Sequence, residues 1–451
     1  MSFPEVRGKK ISIIGMARSG VAVALLLHEK GARLFVSDNG KKENLRAEVA
    51  RLAEKEIPFE VGNHSERVYD CSLLVISPGV PSSAPVVVEA QRRNIKVVSE
   101  LELASLFCEA PIVAITGSNG KTTTTTLLGR ILGDAKKKHV VAGNIGTAFS
   151  SVVLELAPTD IAVLEVSSFQ LDFIETFRPK ISVILNITED HMDRYDHSME
   201  KYAASKARVF ENQQADEVLI YDADDEWCRR EAARATCRTI GFSLRGRQEE
   251  GAFVERGILV TVINGKRTEI VPSDEISIKG MHNLYNSMAA AVVGQLLGVG
   301  PASIRSTLKN FKGVEHRLEF VREVNGVRYY NDSKATNVDS VWYALQAFNE
   351  PIVLLLGGRD KGNDYGRLFD LVKNRVKTVV AIGESADKVE KAFREATSVI
   401  RAGSMDEAVR KAKQSAASGD VVLLSPACAS FDWFKNYEQR GQVFKTLVNG
   451  I

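Results

Sequence analysis

One stretch constrains this chain more than any other: Ala114-Ile115-Thr116-Gly117-Ser118-Asn119-Gly120-Lys121-Thr122. An apolar run over residues 111–115 enters a glycine-rich turn ending in Gly-Lys-Thr. Leu127, Leu128, Ile131 and Leu132 then follow at helical spacing. A buried strand, a glycine turn and a helix N-terminus, in that order, form a phosphate cradle. Glycines let backbone N–H groups close on phosphate oxygens, the helix N-terminus favours negative charge, Lys121 reaches the outer phosphates and the Thr122 hydroxyl suits Mg²⁺. The common spacing G-x-x-x-x-G-K-[ST] puts its first glycine at position 115, which is Ile115; here the glycine comes later, at Gly117. The contracted loop predicts a nucleoside triphosphate site built from Gly117, Ser118, Asn119, Gly120, Lys121, Thr122 and Thr123.

With 451 residues, 44% of them hydrophobic and 26% charged, the chain is long enough for several cores. A net charge of +2 gives no electrostatic case for nucleic acid or an anionic membrane as partner. Cys71, Cys108, Cys228, Cys237 and Cys428 are scattered without C-x-x-C spacing, as expected of reduced thiols in a cytoplasmic protein. No apolar run reaches the ~18 residues of a membrane span.

Three alternating α/β segments are expected, over residues 1–108, 109–313 and 314–451: a Rossmann-like unit, a central P-loop ATPase-like parallel sheet and a second Rossmann-like unit. The first opens with a strand over residues 10–14, then Gly15-Met16-Ala17-Arg18-Ser19-Gly20, a helix, and a strand over residues 33–37 ending at Asp38. Ala17 occupies the second glycine position of the dinucleotide fingerprint, so a nucleotide other than NAD is the better expectation. Ser77-Pro78-Gly79 forms a second turn at the same rim. In the central segment, residues 161–164 run into Glu165, and residues 181–185 run into Asn186 and His191. Continuous apolar runs fit parallel strands buried on both faces, and open α/β sheets bind ligands beyond the carboxyl ends of their strands. That rule brings Lys121, Glu165 and His191 to one rim. The last segment repeats the pattern: its strands lead into Asn331-Asp332-Ser333-Lys334-Ala335-Thr336-Asn337, Gly357-Gly358-Arg359-Asp360-Lys361 and Ser425-Pro426-Ala427-Cys428-Ala429-Ser430-Phe431.

Each candidate has a plain alternative. Glu165 either ends a strand in solvent or faces Mg²⁺. His191 is either a solvated loop residue or a metal or catalytic group. Lys206 follows Met199, Tyr202 and Ala203 on an apolar stripe after Ser198, a candidate N-cap. It either snorkels or is a desolvated amine open to chemical modification. Lys334 and Lys361 suit anion binding or are surface charges. Cys428 has no local base and fits a structural role.

The contracted loop resembles that of the ATP-dependent Mur ligases and folylpolyglutamate synthases. Asp190-His191-Met192-Asp193-Arg194-Tyr195, the 331–337 stretch and the 425–430 stretch are similar to the branch of the Mur ligase family that adds D-glutamate. The resemblance covers essentially the whole chain. It implies an amide ligase joining D-glutamate to UDP-N-acetylmuramoyl-L-alanine through an acyl phosphate and a tetrahedral intermediate, using ATP and two Mg²⁺ ions, in peptidoglycan precursor synthesis. A monomer is expected. The resemblance places the UDP-substrate at Arg18, Ser19, Asp38, Ser77, Gly79 and Asn144. It places ATP also at Asn283, Arg317 and Asp332, and D-glutamate at Lys334, Thr336, Lys361, Ser430, Phe431 and near Tyr437. Metal would lie on Thr122, Glu165, His191 and Lys206, with Lys206 N-carboxylated; Lys121, Glu165, His191, Lys206 and Lys334 would be the catalytic set. Phe431 stands where relatives have an aliphatic residue, and Gly40 stands where some relatives carry an arginine beside the uridine. Rival readings are another ligase of this fold with a different substrate, a Rossmann dehydrogenase with an added NTPase domain, and a P-loop regulatory protein.

Overall fold

Apolar runs and polar loops alternate along the chain, and the structure, a computed structural model that describes residues 5–144, 146–360 and 362–451, sorts them into three sheets. The first contains β1 (Lys10–Ile14), β2 (Arg33–Asp38), β3 (Phe59–Val61), β4 (Leu73–Ile76) and β5 (Lys96–Ser99), all parallel, in the order β3-β2-β1-β4-β5. The order reverses between β1 and β4, so the carboxyl ends of these two strands open a crevice.

The second sheet contains β6 (Ile112–Thr116), β7 (His139–Gly143), β8 (Ile161–Glu165), β9 (Ile181–Ile184), β10 (Val218–Asp222), β11 (Arg238–Ser243), β12 (Gly251–Glu255), β13 (Ile258–Ile263) and β14 (Lys266–Pro272). Its order is β14-β13-β12-β11-β10-β9-β6-β8-β7. Strand β6, which launches the phosphate loop, lies between β8 and β9, parallel to both and buried along its length. Strands β12, β13 and β14 form an antiparallel extension beyond the strands named from the sequence. Their hairpins turn at Arg256-Gly257 and Asn264-Gly265, each with both residues at positive φ, the geometry of two-residue hairpin loops.

These two sheets share one continuous core, in which Ile13 and Val21 belong to the same cluster as Phe149 and Phe177. The Glu102 carboxylate braces them further, accepting the N–H groups of Glu175, Thr176 and Phe177 at 3.0, 2.9 and 2.8 Å. The first compact unit accordingly spans Met1–Ser273 and Tyr285–Thr307.

The second unit, Asp274–Leu284 with Leu308–Ile451, holds the third sheet. Its strands are β15 (Glu319–Val324), β16 (Val327–Asn331), β17 (Ile352–Gly357), β18 (Val376–Ile382), β19 (Ser398–Ala402) and β20 (Val421–Leu424), in the order β15-β16-β20-β17-β18-β19. Only the edge pairing β15/β16 is antiparallel. Along β17, Ile352, Leu354 and Leu356 enter the core on one face, and Val353 and Leu355 enter the core on the other. Each such side chain contributes ~1.5–3 kcal/mol on burial. This double burial is why the strand reads as an unbroken apolar run. The expected three-domain α/β architecture is the observed one.

Candidate active site

The crevice at the ends of β1 and β4 is a cavity of about 620 Å³. Its lining includes Arg18, Ser19, Asp38, Ser77, Gly79 and Asn144, so the residues expected to hold the UDP-substrate do converge. The Asp38 carboxylate is fixed by two backbone N–H donors, Met16 at 2.6 Å and Gly40 at 2.7 Å. The Ser77 hydroxyl donates to the Gly15 carbonyl at 3.1 Å, tying the two strand ends together. Asn39 and His64 also line the cavity. Neither lies in a pattern that sequence alone marks. The His64 imidazole is held below its usual range by burial, against the opposing pull of Glu60 and Asp38.

Asn144 belongs to this cavity and also to the next site. Its side-chain amide donates to Glu165 Oε1 at 3.0 Å, at the end of β8. Glu165 is 2% exposed, and its Oε2 is buried without a hydrogen-bond partner among the described residues. A buried acceptor of that kind costs ~1–3 kcal/mol unless a ligand or proton satisfies it.

The phosphate loop wraps the start of the helix Lys121–Asp134. Gly120 lies at φ +86°, and a Cβ there would stand 2.3 Å from Asn286 Oδ1. Asn286 also accepts from the Thr124 hydroxyl at 3.2 Å. It was not singled out in sequence, although it follows Asn283 by one helical turn. Asn186 supports the loop from β9, accepting from the Asn119 N–H at 2.8 Å and donating to its carbonyl at 3.0 Å. Ser118 donates to the Thr188 carbonyl at 2.8 Å, and both Thr122 and Thr123 are buried.

Two lysines meet on one carbonyl. Lys121 Nζ donates to Gly117 O at 2.7 Å, and Lys206 Nζ donates to the same oxygen at 2.9 Å. Lys206 is 1% exposed, on a helix Met199–Ala207 whose N-cap Ser198 accepts from the Lys201 N–H. Burial, reinforced by the Lys121 cation, holds the Lys206 ammonium well below the usual lysine range. Snorkelling is thereby excluded, because the amine does not reach solvent. His191 sits in the left-handed region at φ +54°, its ring edge-on to Phe169 at 5.0 Å and its Nε2 3.6 Å from Asp190. Arg194 covers Phe169 at 4.0 Å and donates to the Gly79 carbonyl of the first cavity at 3.1 Å.

Among the described residues no three His, Cys, Asp or Glu side chains cluster as a metal cage. Glu165 and His191 therefore fit a divalent ion only together with further oxygen donors. The Thr122 hydroxyl and a carboxylated Lys206 would supply hard oxygens of the right class.

In the second unit, Asp332, Lys334, Thr336, Ser430 and Tyr437 lie on the loops and helix start near the ends of β16 and β20. Asp332 accepts from the Leu318 N–H at 3.2 Å and the Ser425 hydroxyl at 2.7 Å. Burial pushes its carboxyl up to about 7, against the opposing effect of that hydroxyl and of Arg317. Arg317 Nε is buried without a hydrogen-bond partner among the described residues. Lys334 Nζ lies 5.4 Å above the Tyr437 ring. Asn283 donates to the Lys279 carbonyl at 2.8 Å. Ser430 is buried, whereas Phe431 is 59% exposed. Lys361 lies outside the described residues. Cys428 is a buried thiol, pushed up by burial and contacted by Tyr365 and Asn363, which agrees with a structural role.

Comparison with known proteins gives the same picture. Residues 10–86 match the model of the MurD N-terminal domain, residues 115–294 the Mur ligase middle domain, and residues 316–428 the Mur ligase, glutamate ligase domain. The chain is 48% identical to a UDP-N-acetylmuramoylalanine--D-glutamate ligase of Salinibacter ruber, with 100% of each chain covered. It is 47% identical to one of Chloroherpeton thalassium over the same share of both. In fold it is similar to the UDP-N-acetylmuramate-alanine ligase MurC of Thermotoga maritima, with TM-score 0.62 and 20% identity over 98% of this chain and 99% of that one. A contracted phosphate loop with a buried lysine and carboxylate beside it, three matched domains and full-length relatives lead to one conclusion: the chain belongs to the Mur ligase family.

Proposed function

We propose that this chain is an ATP-dependent ligase that joins D-glutamate to UDP-N-acetylmuramoyl-L-alanine, as its relatives are named to do, working as a cytoplasmic monomer. Residues 1–108 take the UDP moiety, residues 109–313 take ATP, and residues 314–451 take D-glutamate. The observation that carries the reading is Asn144, which lines the nucleotide-sized cavity and hydrogen-bonds Glu165 beside the phosphate loop. A UDP-sugar held in that cavity has a continuous polar path to the triphosphate.

The substrate carboxylate attacks the γ-phosphorus of ATP; the new acyl O–P bond forms as the bond to ADP breaks. The D-glutamate amine then attacks the acyl carbonyl. The tetrahedral intermediate collapses to the amide, expelling phosphate, and the amine gives up its proton. Lys121 offsets charge on the transferring phosphoryl group, and the loop's N–H groups hold the remaining phosphates. Arg18, Ser19 and Asp38 orient the UDP-sugar. Lys334, Thr336, Lys361 and Ser430 receive the acceptor, and Asn283, Arg317 and Asp332 attend the nucleotide. Bound Mg²⁺ would neutralise phosphate oxygens, held by Thr122, Glu165, His191 and a carboxylated Lys206. Glu165 Oε2, without a hydrogen-bond partner among the described residues, and a fully buried lysine whose ammonium form burial disfavours support that donor set.

The test is phosphate release by purified protein with ATP, Mg²⁺ and UDP-N-acetylmuramoyl-L-alanine, each candidate amino acid being supplied in turn. Release dependent on D-glutamate is expected. Release with L-glutamate but not D-glutamate overturns the assignment.

A further inference from the structure

Arg440 is a fully buried cation with no hydrogen-bonded carboxylate among the described residues. It is 1% exposed, on the helix Tyr437–Asn449. Its Nε donates to the Ser333 hydroxyl at 3.0 Å, and Nη2 donates to the Ser333 carbonyl at 2.7 Å and the Cys428 carbonyl at 3.1 Å. Nη1 donates to the Cys428 and Ala429 carbonyls at 3.1 and 3.3 Å. Burial brings the guanidinium down only to about 10, so it stays charged at neutral pH, with Asp432 the foremost of the acids favouring the charge. Such a group is expensive to bury and contributes no surface-type ion pair.

Its partners are what give it meaning. Ser333 precedes Lys334, and Cys428 and Ala429 precede Ser430. These two backbone segments follow different strands, β16 and β20, and the planar five-donor fork of Arg440 hydrogen-bonds to both. Ser333 is bound a second time to the same helix, its hydroxyl donating to the Tyr437 carbonyl at 2.8 Å. The packing behind the fork leaves no slack. A Cβ on Gly358 would stand 2.5 Å from the Ala429 carbonyl and 3.2 Å from Arg440 Nη1. Because peptide units are planar, carbonyls drawn toward the guanidinium turn the Ser430 N–H to the opposite side.

We propose that Arg440 is a positioning residue for the acceptor amino acid, fixing the distance between the Lys334 turn and the Ser430 loop without touching the substrate. The proposal rests on the ligase reading above. Lysine cannot replace it, since one ammonium lacks the planar fork that reaches both segments.

The test is steady-state kinetics of phosphate release by the full chain, with D-glutamate and ATP varied separately, on Arg440→Lys, Arg440→Met and Ser333→Ala, each checked by its melting temperature. Arg440→Met is expected to raise KM for D-glutamate about tenfold or more while KM for ATP stays within about twofold, and Arg440→Lys to recover part of the loss. Ser333→Ala, which removes one partner and leaves the buried charge, is expected to raise KM for D-glutamate about fivefold, and it serves if the arginine variants do not fold. An unmoved KM for D-glutamate in a variant that melts like wild type overturns the proposal. So does an equal rise for ATP, which a merely structural role would give. Wild-type protein without D-glutamate-dependent release removes the ligase reading, and the proposal with it; an active wild type with unmoved variants removes the proposal alone.

Discussion

The rim around the phosphate loop and the rim of the third sheet are built by the same rule and finished in opposite ways. Both set polar loops at the carboxyl ends of buried parallel strands. Both hold a non-glycine residue in the left-handed region, His191 at φ +54° in one and Ala427 at φ +58° in the other. Around the phosphate loop two buried groups, Glu165 and Lys206, have few partners among the described residues. Glu165 Oε2 has none, and Lys206 shares one carbonyl with Lys121. In the third sheet the loops are tied to one another through main-chain carbonyls and a buried guanidinium. The first arrangement suits highly charged ligands that complete the network. The second suits a small acceptor that needs a rigid, preset frame.

The sharpest way to break this contrast is at Lys206. If its role is anionic, as a carbamate, then Lys206→Ala should lower turnover ~100- to 1,000-fold. High bicarbonate should not restore it, whereas formate, acetate or another short carboxylate should recover part of the rate by entering the space the side chain leaves. A folded, inactive variant that no short carboxylate rescues would remove the carbamate and return Lys206 to a buried amine donating to the Gly117 carbonyl.

How far each rim is legible in sequence follows from the same difference. Lys121 and Glu165 can be found because strand-turn-helix order and strand ends are local patterns. Lys206 can be found because it falls on an apolar stripe. Arg440 carries the same signal, since Arg440, Phe444 and Val448 recur at four-residue spacing and all are buried. A stripe reports burial and not partners, however, and the Ser333 carbonyl arrives from a loop 107 residues away in sequence. Asn39 and His64 come from loops where no period exists. Strand β14 is half-exposed and lacks an unbroken apolar run, so its clearest local mark is the Asn264-Gly265 turn before it.

A smaller effect separates the two units by pH. Burial raises Asp332 in the second unit and Asp222 in the first to about 7 each, from an ordinary 3.8. A carboxyl whose folded value is raised binds a proton in the native state that the unfolded chain has already released. Its stabilising contribution is therefore complete below about pH 4 and is lost as the pH rises through about 7. Melting curves between pH 4 and 8 should show wild type losing stability more steeply than Asp332→Asn or Asp222→Asn, each variant flattening the transition of its own unit. Parallel pH profiles for wild type and both variants would mean that water or a ligand, rather than apolar packing, surrounds these carboxyls.

The smallest test concerns two helix caps of the same chemistry. Ser198 accepts the Lys201 N–H at 3.3 Å and starts the helix that carries Lys206. Ser404 accepts the Glu407 N–H at 3.2 Å and starts the helix Met405–Ser415, which packs Met405, Ala408, Val409 and Ala412 into the core of the third sheet. Alanine at either cap should cost ~1 kcal/mol of stability, since each removes one side-chain acceptor from an orphan N–H. Activity should divide them. Fraying the first turn at Ser198 loosens a helix whose last turn presents a buried amine to the phosphate loop, so Ser198→Ala should lower turnover as well as melting temperature. Ser404→Ala should lower melting temperature alone, because its helix carries none of the residues proposed to face a ligand. Equal loss of turnover in the two variants would mean that activity follows global stability, and the exacting position assigned to Lys206 would have no kinetic consequence.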